Sequence, residues 1–222
     1  MLEAFKPPKL IFTAESKYCG TVEVYERQGK RWISVGDTAQ SISVNDPSVT
    51  KRTWGKLADL LLAEKPEAKN VLLLGLGGGT VPTLLSKKIP EAKITAVEID
   101  EVMIEVAEKF FDLKAISNLT VAHADAFEYV ADQKEKFDAV LVDLYLGEEF
   151  PGQANSEEFL ANVKSLLKPD GIAILNRIYY LPKFRVETDQ FLTKFRKHFK
   201  NVKTLQVAGF TGFDNILIYG RI

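Results

Sequence analysis

The order of apolar and polar positions divides the chain into two textures. From residue 9 to about 48 the period is two, as in half-buried strands. Gly20-Thr21-Val22-Glu23-Val24-Tyr25-Glu26 alternates, Gln28-Gly29-Lys30 turns the chain, and Arg31-Trp32-Ile33-Ser34-Val35 alternates again, so the pair reads as a hairpin. Residues 39–44 add a further strand, and Asp46-Pro47 closes the stretch as a turn. Trp54, Leu57, Ala58, Leu61 and Leu62 then recur at spacings of three and four, which predicts a helix from residue 48 or 50 to 63.

From Asn70 the texture changes. Residues 71–74, 94–97, 119–122, 138–143 and 172–175 are short apolar runs, as expected of strands covered on both faces. Helical patterns at 81–88, 101–110, 126–133 and 156–167 separate them. Asn155 followed by Glu158 fits a helix N-cap, and Lys168-Pro169-Asp170-Gly171 fits a stop. A last helix at 186–199 precedes strands at 202–207 and 215–219. The alternation predicts an α/β fold: a Rossmann-like, doubly wound, mostly parallel sheet over residues 50–222, preceded by a small N-terminal β-hairpin domain over residues 1–49.

Composition narrows the function without naming it. The 222 residues carry 29 basic and 30 acidic side chains, a net charge of -1, which is no general nucleic-acid footprint. Lys194, Arg196, Lys197, Lys200 and Lys203 read as a solvated helix face. Cys19 is the single cysteine, so no intrachain disulfide forms, which suits a reducing compartment. The first eight residues lack the long apolar stretch of a signal peptide, and no run is long enough to span a bilayer, so a cytoplasmic protein without a membrane partner is expected. His123 and His198 stand too far apart in sequence to suggest a metal site, and none is expected.

The candidate chemistry begins at Gly75-Leu76-Gly77-Gly78-Gly79, between the first buried strand and the next helix. Glycine permits a tight turn and lets a ligand touch the backbone, and the helix N-terminus behind it offers free N–H groups. The third glycine of the dinucleotide fingerprint is absent, because Thr80 takes its place. Gly75, Gly77 and Gly79 fit a smaller adenosyl ligand better. Glu98 ends the second strand, where a carboxylate accepts from both ribose hydroxyls. Asp125, followed by Ala126, ends the third, as an acceptor for an adenine amino group, as a helix N-cap, or as both. Asp143 ends the fourth. Ligands in open α/β sheets bind outside the carboxyl ends of the strands, so these acids should converge. Asn176 and Arg177 end the fifth strand, facing the same crevice or capping a loop. Trp54 reads as core packing, and Trp32 as a contact to the main domain or to another subunit.

At these residues the chain resembles the spermidine synthase family and, more broadly, class I S-adenosylmethionine-dependent methyltransferases, from about Tyr18 to the C-terminus. Gly36-Asp37-Thr38-Ala39-Gln40-Ser41 is similar to the family segment whose glutamine touches the nucleoside, which assigns Gln40 to the ligand. Val97-Glu98-Ile99-Asp100 resembles the ribose-binding strand end, Asp125 the adenine-side acid, and Asp143 the proton acceptor. The resemblance also implies a homodimer.

Three motifs depart from the family. Gly78 stands where its loop carries an aspartate for the aminopropyl amine. Asp143-Leu144-Tyr145-Leu146 lacks the second acid of its D-S-x-D motif, and Thr53-Trp54 replaces its Tyr-His pair. A polyamine carries several positive charges that acids and aromatics must balance. The first expectation is therefore methyl transfer from S-adenosylmethionine to an unidentified small-molecule acceptor, with Asp143 orienting or deprotonating the nucleophile and Tyr145 lining the pocket. The second is aminopropyl transfer from decarboxylated S-adenosylmethionine, releasing methylthioadenosine, with Glu148 and Glu149 supplying charge. The third is a non-catalytic adenosyl-binding scaffold.

Overall fold

A computed structural model describes residues 7–147, 150–208 and 214–222. Its first sheet is antiparallel, with β1 (Lys9–Ser16), β2 (Gly20–Arg27), β3 (Lys30–Val35) and β4 (Thr38–Ile42) side by side in chain order. Alternation gives this sheet one apolar face. Val22, Val24, Ile33 and Val35 are buried from it against Met103, Val106 and Phe111. Trp32 stacks on Tyr25, its partner across the hairpin, with ring centres 5.6 Å apart.

The second sheet holds seven strands. They are β5 (Asn70–Leu74), β6 (Lys93–Glu98), β7 (Leu119–His123), β8 (Phe137–Val142), β9 (Leu167–Ile178), β10 (Lys200–Val207) and β11 (Asn215–Arg221). Their spatial order is β10-β11-β9-β8-β5-β6-β7. Strands β5 to β9 are parallel, and β11 runs antiparallel to both its neighbours. The doubly wound architecture expected from the sequence is present. Leu73, Leu141 and Ile174 face the layer of α1 (Thr53–Glu64), α2 (Thr80–Lys88) and α3 (Glu101–Phe110). Leu72, Val140 and Ala173 face α4 (Ala126–Asp132), α5 (Glu157–Ser165) and α6 (Pro182–His198). Both faces are covered, which is why these strands lack alternation.

Three local expectations are corrected. The helix expected from residue 48 or 50 is a 3-10 turn over Pro47–Lys51, then extended Arg52, then α1. Arg52, extended at ψ 166°, separates the two, and the turn crosses α1 at Gly55, where any Cβ would overlap the Val49 carbonyl. Ser156, not Asn155, caps α5, its hydroxyl accepting from Phe159 N at 3.0 Å. Helix α5 ends at Ser165, and the expected stop at 168–171 is instead an outward bulge within β9. Pairing with β8 jumps there from Phe137–Leu167 to Ala139–Ile172, and Asp170 takes a left-handed φ of 61°.

Polar contacts at the starts of α2 and α3 fasten the first sheet to the main layer. The Thr80 hydroxyl, at the start of α2, donates to Ile42 O at 2.7 Å, accepts from Ile42 N at 3.3 Å, and shares a 2.6 Å bond with Ser41 Oγ. Asp100 caps α3 and accepts from Ser16 Oγ at 2.5 Å. Thr80→Val keeps the shape and removes the hydroxyl, leaving buried Ile42 groups without a partner. It is expected to cost about 2 kcal/mol and about 4–8 °C in melting temperature. Limited proteolysis should then cut the first sheet before the second. Equal protection of both sheets would contradict this role.

Candidate active site

The strand order reverses between β5 and β8, and the glycine loop lies at that switch point. Gly75, Gly77 and Gly79 take positive φ values of 92°, 53° and 77°, which glycine alone adopts cheaply. Gly75 is pressed between neighbours: its N–H donates to Val97 O at 2.9 Å, while Asp143 N donates to Leu74 O at 2.8 Å. A Cβ at Gly75 would overlap the Asp143 carbonyl. The loop therefore touches the end of β8 directly, and Glu98 and Asp143 flank it from either side.

Gly78 has a different reason. A Cβ there would lie 2.8 Å from Ile33 Cδ1 and from Ser41 Cβ, on the first sheet. Gly78, expected to touch the ligand, also packs against β3 and β4, and a side chain there would require Ile33 and Ser41 to shift.

Glu98 does more than wait for a ligand. Its Oε2 accepts from Leu76 N at 2.9 Å and Gly77 N at 3.2 Å, and its Oε1 accepts from Asp100 N at 3.0 Å. The carboxylate shapes the loop. Burial outweighs these three bonds and raises its pKa above the ordinary glutamate value. Asp125 caps α4, its Oδ1 accepting from Phe127 N at 2.6 Å and Glu128 N at 3.3 Å. Ala126 is the first residue of that helix. A cavity of about 270 Å³ opens beside Asp125, lined also by Phe127, Gln153, Ser156 and Phe159. Gln40 Nε2 donates to Gly147 O at 3.0 Å, so β4 is tied across to the segment after β8.

Asp143 is part-buried and held by an amide chain. Asn176 Nδ2 donates to its Oδ1 at 2.8 Å, and Asn215 Nδ2 donates to Asn176 Oδ1 at 2.9 Å. Burial raises the Asp143 pKa against the opposing Asn176 bond. Tyr145 Oη lies 3.4 Å from Asn176 O, and burial pushes its phenol pKa well up. Asn176 and Arg177, read as a pair, are split by strand alternation: Asn176 joins Asp143, whereas Arg177 contacts Asn155, Phe150 and, on α6, Phe191. Asn215 escaped the sequence reading. Its only signal was a polar residue opening an apolar strand, and its partner across β9 becomes visible only with the pairing of β9 and β11. Glu148 and Glu149 lie outside the described residues.

Trp54 packs on the main core, and Trp32 also lies against it. Among the described residues no three His, Cys, Asp or Glu side chains gather as a metal site. His123 Nε2 lies 3.1 Å from Ile99 O, and His198 pairs with Glu157 at 2.6 Å. No helix among the described residues is long and apolar enough to cross a membrane.

A parallel sheet with this strand order, a glycine loop after β5 and a carboxylate ending β6 define a Rossmann-like fold of the class I methyltransferase type. Residues 54–209 match the spermine/spermidine synthase domain, and the chain belongs to that family. It is 32% identical over 200 residues to the polyamine aminopropyltransferase of Vibrio vulnificus (strain CMCP6), across 85% of this chain and 66% of that one. It is 36% identical over 130 residues to the human eEF1A lysine and N-terminal methyltransferase, across 53% of this chain and 18% of that one. The chain thus spans just under two thirds of the first relative and less than a fifth of the second. A crystal structure of spermidine synthase with the transition-state analogue AdoDATO superposes with a TM-score of 0.79 at 19% identity, over 96% of this chain and 73% of that one. That likeness is one of fold. The two named relatives are both transferases, and they differ in the group transferred.

Proposed function

We propose that the protein binds S-adenosylmethionine and transfers its methyl group to a small-molecule acceptor positioned by Asp143. When bound, S-adenosylmethionine supplies a methyl group made electrophilic by its sulfonium. The residues at the switch point fit its nucleoside. A carboxylate has about four acceptor sites, and three backbone N–H groups use Glu98. One site on Oε1 remains for a ribose hydroxyl, and release of the long Gly77 bond opens a second. Asp125 spends Oδ1 on its cap and offers Oδ2 to the base beside the cavity. Gln40 spends one Nε2–H on Gly147 O and keeps its second N–H and its Oε1 for a ligand.

The observation that carries the methyl reading is the company of Asp143. Its side-chain hydrogen bond comes from the Asn176 amide, and Leu146 stands where the family motif has a second acid. One carboxylate suffices to orient and deprotonate a single nucleophile, whereas a polyamine brings several charges to be balanced. The raised Asp143 pKa moves its proton affinity toward neutral, as a general base requires. Tyr145 keeps its proton and lines the site. Aminopropyl transfer is the second reading, favoured by the Vibrio relative.

Asp143→Asn is expected to leave donor affinity unchanged and to reduce label transfer to a small-molecule extract by about 100-fold or more. In the wild type, activity should fall on acidification as Asp143 takes up a proton, at a pH above the ordinary aspartate value. Calorimetric titration with S-adenosylmethionine and with its decarboxylated form separates the two transfers. Tighter binding of the decarboxylated form would overturn methyl transfer.

A further inference from the structure

Asp143 stands just past the end of β8. Its side chain is tied back to the sheet by two amides in series. Asn176 Nδ2 donates to Asp143 Oδ1 at 2.8 Å, and Asn215 Nδ2 donates to Asn176 Oδ1 at 2.9 Å. The register explains why the three meet. Val142 pairs with Leu175, so Asp143 and Asn176 follow side by side at the ends of β8 and β9. Asn215 opposes Ile178, and Leu217 opposes Asn176, which makes Asn215 the diagonal neighbour of Asn176 on the same face. Asn176 is 3% exposed, so water has little access to its amide.

An amide has two ends of opposite character, a donor and an acceptor. Asn176 can turn either one toward Asp143. Nδ2 favours the carboxylate, whereas Oδ1 would repel it and favour the protonated acid. Burial already pushes Asp143 toward its protonated form, and the Asn176 bond opposes that. The partner on the far side decides which end is presented. Asn215 offers an N–H to Asn176 Oδ1, which leaves Nδ2 for Asp143. The Asn215 side chain also hydrogen-bonds the Tyr145 phenol, a titratable neighbour that feels the Asp143 charge on one side and the Arg177 charge on the other. Asn215 is itself held on both flanks, paired with Ile178 of β9 and Val207 of β10. The fixed end of the chain is therefore on β11, and the dependent end is the candidate base.

We propose that Asn215 is a positioning residue of the reaction: it holds the Asn176 amide with its N–H toward Asp143 Oδ1, which keeps the carboxylate ionised and leaves Oδ2 for the acceptor's nucleophile. Oδ2 then takes the proton that the nucleophile gives up. The bearing on catalysis rests on Asp143 as the base of the proposed function; the amide orientation does not.

The test uses the full chain with aspartate labelled with carbon-13 at the side-chain carboxyl. The Asp143 signal is identified by its absence in Asp143→Asn, and its midpoint is read by pH titration without donor or acceptor. Asn215→Leu keeps the bulk and removes the donor, and it is expected to raise that midpoint by about one pH unit. Asn215→Asp, whose ionised carboxylate can only accept, draws the Asn176 N–H away and should raise it at least as far. In an Asn176→Leu background, where the midpoint is already raised, Asn215→Leu should add nothing. Label transfer from S-adenosylmethionine to a fixed small-molecule extract should fall about tenfold in Asn215→Leu at a pH below both midpoints and recover above them. Affinity for S-adenosylmethionine should stay unchanged, and circular dichroism confirms the fold of each variant. An unmoved midpoint in both Asn215 variants, or an equal shift in the Asn176→Leu background, overturns the role of Asn215 while Asp143 remains the base. Full label transfer in Asp143→Asn overturns the base assignment and the positioning role with it, even where the midpoint moves.

Discussion

Gly75→Ala is expected to cost about 3 kcal/mol or more, to lower the melting temperature by about 6–12 °C, and to abolish adenosyl binding. The added methyl would overlap the Asp143 carbonyl, and neither backbone is free to retreat. Gly75 N is bonded to Val97 O on one side, and Asp143 N to Leu74 O on the other. Relief requires parting β5 from β8 at the switch point, which moves the loop and the candidate base together. Gly29→Ala is the control. Gly29 has a similar φ of 73°, and an added Cβ meets nothing within 4 Å. It carries the left-handed penalty alone, about 1–2 kcal/mol. Thermal unfolding of the two variants isolates the collision, and equal losses would refute it.

The second large effect is expected at Glu98. Glu98→Gln keeps the size but turns one oxygen into a donor facing backbone N–H groups at Leu76 and Gly77 or at Asp100. Adenosyl affinity should fall about 100-fold, because the ribose loses an acceptor and the loop loses its template. The pH dependence has a definite sign. Burial gives the folded protein a higher proton affinity at Glu98 than the unfolded chain has. Between that raised pKa and the ordinary value of about 4.3, the folded state binds more protons. Acidification through this window therefore favours folding at this group while removing the carboxylate that the ribose needs. Affinity should drop as pH falls, above the range of an exposed glutamate, and the glutamine variant should lose that limb. Calorimetric titration across mildly acid pH reads both. An unchanged affinity in Glu98→Gln would leave Glu98 as a loop support only.

The glycine loop and the strand-end acids of the candidate site were legible because each is local. A glycine loop and a strand-end acid each declare themselves within a few residues, and their meeting follows from the α/β alternation. Gly78 shows the limit. As sequence it belonged to the loop, and as structure it belongs to the contact with Ile33 and Ser41. Nothing in the loop itself encodes the approach of a sheet some forty residues earlier. The amide chain from Asn215 through Asn176 to Asp143 shows the same limit, since it joins three strand ends distant in the chain.

The chain's own pattern determined every strand but β1, the order of helices between them, the glycine loop and the acids that end β6, β7 and β8. These follow from periodicity and from local backbone chemistry, which act over a few residues. Tertiary structure alone decided that Gly75 abuts Asp143, that Glu98 templates the loop, and that Arg177 is clamped between the rings of Phe150 and Phe191. Those are contacts between elements far apart in sequence. Their energies come from close packing and from burial away from water, and neither exists until the sheets and helices have come together.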